Sequence, residues 1–186
     1  MRYLALLRGI NLGGKTMVKM EELRRTFEAL GFENVKTYIN SGNVAFDTDV
    51  GSLHVSKGSS DSVARQLVEK IEDAVERDFG RRFSVMVRPQ KAIEKILANN
   101  PFDGEYGSHK EMHVLFMERE ISDDQLATLR EAAPAGERFI AKGREIYLHL
   151  PMGVAQSLMG RGLVEKKLKI AVTARNWRTV QKLAEL

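Results

Sequence analysis

The sequence predicts an α+β protein made of two ferredoxin-like plait units, each running β-α-β-β-α-β with an antiparallel sheet, followed by a C-terminal helix. Two observations carry this. Short apolar runs and amphipathic helices recur in the same order in both halves of the chain. Each half also holds a hairpin signature between its two helices, Asn40-Ser41-Gly42-Asn43 in the first and Ala141-Lys142-Gly143-Arg144 in the second.

Arg2 to Arg8 is an apolar run ending in a glycine-rich segment, the pattern of a buried strand. Met20, Leu23, Phe27 and Leu30 follow at helical spacing, with Glu21 and Glu22 in the first turn and Gly31 as the stop. Val35 to Ile39 and Val44 to Phe46 form the hairpin arms. Beyond a polar loop with Lys57-Gly58-Ser59-Ser60, a long amphipathic helix carries Ala64, Leu67, Val68, Ile71, Ala74, Val75 and Phe79, and Gly80 closes it. Phe83 to Val87 is the fourth strand and Gln90 to Ala98 a connecting helix. The second unit starts with strand Met112 to Met117 and a helix opened by the capping box Ser122-Asp123-Asp124-Gln125 and ended by Pro134. Phe139-Ile140 and Ile146 to Leu150 are the next hairpin arms. A helix carrying Leu158, Met159, Leu163 and Leu168, a short extended stretch Ala171 to Thr173, and a helix with Trp177, Val180, Leu183 and Ala184 complete the chain. The division is 1–98 and 99–186. The repeat is one of element order, with no evident residue-level self-similarity. Tyr3 to Leu7 and Val114 to Met117 are apolar at successive positions, so both faces of those strands are expected to be buried, covered by the partner unit or the terminal helix.

Composition narrows the function classes. A chain of 186 residues, 43% hydrophobic and 29% charged, with 15 Gly and 4 Pro, is neither disordered nor collagenous. The absence of cysteine excludes thiol catalysis, disulfides and thiolate metal sites. The apolar run before Arg8 is too short for a signal-peptide core, and no apolar stretch approaches the roughly 18 residues of a membrane span. The expectation is a cytoplasmic protein with no membrane partner.

Gly9-Ile10-Asn11-Leu12-Gly13-Gly14-Lys15-Thr16 fits the phosphate-loop pattern G-x-x-x-x-G-K-[ST] after a strand. Glycine N–H groups converging on an anion, Lys15 as a point charge and Thr16 on Mg²⁺ would make a nucleotide-handling enzyme. That motif belongs in a mostly parallel sheet, whereas here a tight hairpin follows. In a plait, the loop leaving the first strand and the hairpin leaving the second lie at one end of the sheet. Arg8, Gly9, Asn11, Gly13, Gly14, Lys15 and Thr16 then gather with Asn40, Ser41 and Asn43 as a site for an anionic small molecule. The competing reading is that Asn40, Ser41 and Asn43 satisfy their own turn and the glycines shape a crossover.

Charge is uneven. From Arg161 to Lys182 seven cations face one acid, a net +6 that leaves the rest of the chain at −2 of the total +4. With Arg175, Asn176 and Trp177 in this stretch, nucleic-acid contact through phosphates and stacking stands beside a solvated helix face with Trp177 as core. The spacing of Trp177, Val180 and Ala184 favours core, so nucleic acid is not the favoured partner. His113 and His149, on neighbouring strands, could approach each other or Tyr147, but two imidazoles make a poor zinc site. No cofactor or catalytic residue is indicated.

Arg8 to Lys15, Val18-Lys19-Met20 with Glu22-Leu23, Tyr38-Ile39-Asn40-Ser41-Gly42-Asn43-Val44, and Thr173-Ala174-Arg175-Asn176-Trp177 together resemble the bacterial domain of unknown function 1697 family. The resemblance runs from Tyr3 to the C-terminal helix. It implies the two-plait fold and brings no activity, substrate or site residue with it. Two positions depart from the family pattern: Thr16 follows Lys15 where a polar amide is common, and Ser157 is followed by Leu158 where the family pairs serine with lysine.

Overall fold

A computed structural model describes residues 1–11, 17–49, 51 and 60–186. The elements are β1 (Arg2–Leu7), α1 (Met20–Ala29), β2 (Glu33–Tyr38), β3 (Asn43–Asp47), α2 (Ser60–Phe79), β4 (Val85–Pro89) and α3 (Gln90–Ala98), then β5 (Met112–Met117), α4 (Asp123–Ala132), β6 (Arg138–Lys142), β7 (Glu145–His149), α5 (Leu163–Leu168), β8 (Val172–Asn176) and α6 (Trp177–Ala184). Two four-stranded antiparallel sheets result, ordered β2-β3-β1-β4 and β6-β7-β5-β8. The two-plait α+β fold read from the sequence is the fold observed. Each sequence half is β-α-β-β-α-β-α, so α3 and α6 occupy equivalent places in the repeat. Spatially the chain forms one compact unit from Met1–Glu94 with Leu183–Leu186 and another from Lys95–Lys182.

In the first unit, Tyr3, Ala5 and Leu7 of β1 join Val44, Phe46, Val85 and Val87 on one face of the sheet. There they pack with Leu23 and Phe27 of α1 and Val63, Leu67, Ile71 and Val75 of α2. Leu23 and Phe27 stand four residues apart, so they share one helical face. Phe32 stacks on Phe46 with ring centroids 4.4 Å apart. Leu4, Leu6 and Met86, on the other face, are also buried, as the unbroken apolar run of β1 requires. β5 likewise is buried at every position.

The second unit packs Leu115, Met117, Ile146 and Leu148 of its sheet with Leu129 of α4 and Val164 and Leu168 of α5. Its capping box forms as the sequence indicates: Gln125 N–H donates to Ser122 Oγ at 3.3 Å, and Ser122 N–H donates to Gln125 Oε1 at 3.1 Å.

Three local readings are corrected. The helix expected to carry Leu158 to Leu168 is confined to α5, because residues 151–162 form turns and Gly162, left-handed at φ 99°, marks the helix start. The last strand is longer than Ala171 to Thr173, reaching Asn176 with Arg175 buried inside it. The two strand histidines do not face each other. His113 lies opposite Leu148, whereas His149 lies opposite Met112, and a one-residue offset along a strand reverses the face.

The two sheets share one detail no sequence pattern reveals. Arg88 of β4 lies across from Leu4, and Arg175 of β8 across from Val114, the same register position in each unit. Both arginines are buried, at 2% and 6% exposure.

Candidate functional site

β1 pairs antiparallel with β3, and β3 with β2, so β1 and β2 point the same way and their outgoing connections meet at one end of the sheet. Leu7 N–H donates to Gly42 carbonyl at 2.8 Å and Arg8 N–H to Ser84 carbonyl at 2.9 Å, fastening the exit of β1 to both neighbouring strands' ends. Gly42 is obligatory here. Its φ is +77°, and a Cβ would stand 2.8 Å from Leu7 Cβ.

Asn11 organises this end. Its backbone is left-handed at φ 56°, a region asparagine tolerates better than most residues. Its amide nitrogen donates to Val18 carbonyl at 3.0 Å and to Asn40 carbonyl at 2.9 Å, while its oxygen accepts from Val18 N–H at 2.8 Å. One side chain thus ties the departure of the glycine-rich segment to its return and holds both against the β2–β3 turn. Gly13, Gly14, Lys15 and Thr16, on the segment so enclosed, lie outside the described residues.

Arg8 and Gly9 are exposed, and Gly9 takes φ 69° with no atom of the described residues within 4 Å of where a Cβ would stand. Asn40 is exposed and contributes its carbonyl to Asn11. Ser41 Oγ accepts from Asn43 Nδ2 at 2.9 Å, and the same nitrogen donates to Tyr38 carbonyl at 3.0 Å. Asn43 is wholly buried, and its amide stabilises the turn that it closes. Ile39, a β-branched residue at φ 48°, is strained, and it is half exposed. Topology therefore brings Arg8, Gly9, Asn11, Asn40, Ser41 and Asn43 to one end of the sheet, where Ser41 and Asn43 bond within their own turn and Asn11 ties the connections together.

Arg175 and Asn176 lie in the second unit and have structural roles. Burial pushes the Arg175 guanidinium down to about 10, and it donates to Thr173 Oγ1 at 2.7 Å and Ala174 carbonyl at 2.8 Å. Asn176 Oδ1 caps α6 by accepting from Thr179 N–H at 2.9 Å. Trp177 is core, buried and edge-on to Tyr106 with centroids 6.3 Å apart.

The antiparallel sheet removes the setting in which Gly9 to Thr16 would be a nucleotide phosphate loop. Asp47, the acid closing the strand after the turn, sits opposite Arg2 at the far end of β1, bonded to Arg2 at 3.1 Å and Asn34 at 2.7 Å. Among the described residues no group of three His, Asp or Glu is placed to hold a metal ion. Among them also, no helix is long and apolar enough to cross a membrane.

Sequence reasoning missed Glu137. This buried carboxylate, just before β6, accepts from Ser157 Oγ at 2.7 Å, Leu158 N–H at 2.7 Å and Met159 N–H at 2.9 Å. Ser157 Oγ in turn accepts from Gly160 N–H at 2.8 Å. A small concave anion site made of backbone donors is thus filled by the protein's own carboxylate. The clusters Gly153, Ser157 and Gly160 signal turns, but a pairing across 20 residues leaves no local mark.

Comparison with one solved structure agrees with this architecture. A conserved bacterial protein, SP0830 from Streptococcus pneumoniae, matches with a TM-score of 0.71 and 28% identity, over 99% of this chain and 97% of that one. An unknown protein from Galdieria sulphuraria aligns over 94% of this chain and 97% of its own at 12% identity, with a TM-score of 0.24. A search of the curated proteins found no match. The family model described as a protein of unknown function, DUF1697, matches residues 1–147, and with that match and the two-plait fold the chain belongs to the DUF1697 family.

Proposed function

We propose that the first unit is a binding module for a small, phosphate-bearing anion, held where the β1 exit meets the β2–β3 turn. The observation that carries this reading is the Asn11 clamp, which fixes both ends of the segment containing Lys15 beside Asn40 and leaves Arg8 and Gly9 exposed at the same end. In this reading Arg8 and Lys15 supply positive charge, and glycine N–H groups with Thr16 and Ser41 supply neutral donors. The strain at Ile39 supports it, since strained backbone persists where geometry serves a site. Met17 and Ile39, exposed at 78% and 51%, are chain neighbours of Val18 and Asn40 and would receive an apolar part of the ligand.

Calorimetric titration with inorganic phosphate, pyrophosphate and a nucleoside diphosphate tests the reading. At least one should bind the wild type, and Lys15→Ala and Arg8→Ala should each weaken it about tenfold, the loss of one charge-assisted contact of about 1.4 kcal/mol. Equal affinity in wild type and both variants, or no binding to the wild type, would overturn it.

A further inference from the structure

The cations around α5 are treated differently from many in the first unit. In the first, Lys19 lies 3.1 Å from Glu22, Arg24 2.7 Å from Glu21, Arg77 2.7 Å from Asp78, and Arg82 2.7 Å from Asp73 and 3.0 Å from Glu76. In the second, Arg161, Lys166, Lys167 and Lys169 are all exposed. Among the described residues none of these four side chains has a hydrogen bond or ion pair. The acid among them, Glu165, is engaged elsewhere: its Oε1 accepts from Val172 N–H at 3.3 Å.

Helical geometry concentrates these charges. Val164 and Leu168 of α5 are buried. At about 100° per residue, Lys166 falls opposite them and Lys167 on the flank of the helix, and both are exposed. Lys169, left-handed at φ 53°, ends the helix, and Arg161 precedes it by two residues. Four like charges on nine residues repel one another, and a polyanion that binds them relieves the repulsion and releases its own condensed counterions.

We infer that the α5 surface, Arg161 with Lys166, Lys167 and Lys169, is a nucleic-acid-binding surface that contacts the phosphodiester backbone without reading sequence. Backbone contact needs charge alone. Base stacking is not offered by the single tryptophan, Trp177, which is buried. A lipid surface fits less well. Interfacial helices bury an apolar face in the bilayer, whereas α5 has six residues and turns Val164 and Leu168 inward. Because this surface belongs to the second unit, it stands independently of the anion site of the first.

Fluorescence anisotropy with labelled random-sequence oligonucleotides, single-stranded and duplex, tests the inference across a salt series. Log affinity should fall linearly with log salt at a slope of about −3, four cations each contributing about 0.7 to 0.9. Lys166→Ala/Lys167→Ala/Lys169→Ala should flatten that slope to about −1 and weaken low-salt binding tenfold or more. Since those side chains make no hydrogen bond or ion pair among the described residues, the triple variant should keep the wild-type melting temperature. Arg25→Ala, removing an exposed cation of the first unit, should leave binding unchanged. Absent binding at low salt, or undiminished binding by the triple variant, would overturn the proposal. So would tighter capture by phosphatidylserine vesicles than by oligonucleotide, which would assign the surface to membranes, or equal competition by polyglutamate, which would assign it to acidic polypeptides.

Discussion

In each unit a polar connection is closed by one side chain, Asn11 in the first and Glu137 in the second, and the two close it by different chemistry. The Asn11 amide both donates and accepts, so it can bridge a carbonyl and an N–H of the same residue, Val18, and still reach Asn40. The Glu137 carboxylate accepts only, so it gathers donors: Ser157 Oγ and the N–H groups of Leu158 and Met159. The neutral clamp adds no charge of its own to its connection, while the charged one fills an anion site from within. The surfaces differ correspondingly. In the first unit most of the named surface cations are paired with neighbouring carboxylates, whereas around α5 they are not. One fold thus carries two distinct surfaces, and function must be argued from each.

The largest test of this contrast is Glu137→Gln beside Asn11→Asp. Glu137→Gln puts an amide NH₂ against backbone donors, and urea unfolding should show a loss of about 2–3 kcal/mol. Asn11→Asp keeps the bond from Val18 N–H but loses both donated bonds, and should cost about 1–2 kcal/mol at a less buried position. Amide hydrogen exchange should accelerate at Leu158 and Met159 in the first variant and at Val18 in the second. If Glu137→Gln cost less than Asn11→Asp, the carboxylate would not be what holds residues 157–160.

A smaller effect of opposite sign is expected at Ile39. An isoleucine at positive φ is strained by about 1 kcal/mol, and asparagine adopts that conformation readily. Ile39→Asn should therefore raise stability by about 0.5–1 kcal/mol, read as a shift of the urea midpoint at unchanged slope. A destabilised variant would show that the half of Ile39 removed from solvent outweighs the strain.

The subtlest difference emerges only in acid. Burial holds the His113 imidazole below its ordinary 6.5. Well above pH 6.5 the ring is neutral in folded and unfolded chains alike and contributes no pH dependence. As pH falls below 6.5 the unfolded chain takes up the proton first, so stability declines until the folded-state value is reached. Relative to His113→Leu, the wild type should lose stability as pH falls from about 7 through the ordinary histidine range. A constant difference across that window would mean that His113 titrates normally.

The sequence and the structure agree wherever periodicity meets a long element. Leu67, Ile71 and Val75 mark α2, and the unbroken run of β1 announces burial of both faces. Agreement fails where distant residues decide the outcome. Leu158, Met159, Leu163 and Leu168 have helical spacing, but Glu137 captures the N–H groups of the first two and α5 starts only at Leu163. Arg175 reads as surface because a charged residue is rarely buried, which hides the second half of β8. The gathering of Arg8 and Asn11 beside Asn40 was legible through topology, since one strand order puts them at the same end of the sheet. That Asn43 satisfies its own turn was one of two readings the sequence left open, and the Asn11 clamp went unread, because asparagine in a turn bonds equally well to backbone or ligand.

The turn held by Glu137 has a bearing on which changes this protein tolerates. Surface connections ordinarily absorb substitutions and insertions with little effect. Gly160 has no room for a side chain, since a Cβ would stand 2.5 Å from Val154 Cγ2, and its N–H is anchored to Ser157. An added residue between Ser157 and Met159 would rotate one donor away from the carboxylate and strand the charge. A peptide tag or inserted domain placed between 153 and 160 should therefore be rejected as firmly as one placed in a sheet, although most of that stretch lies at the surface.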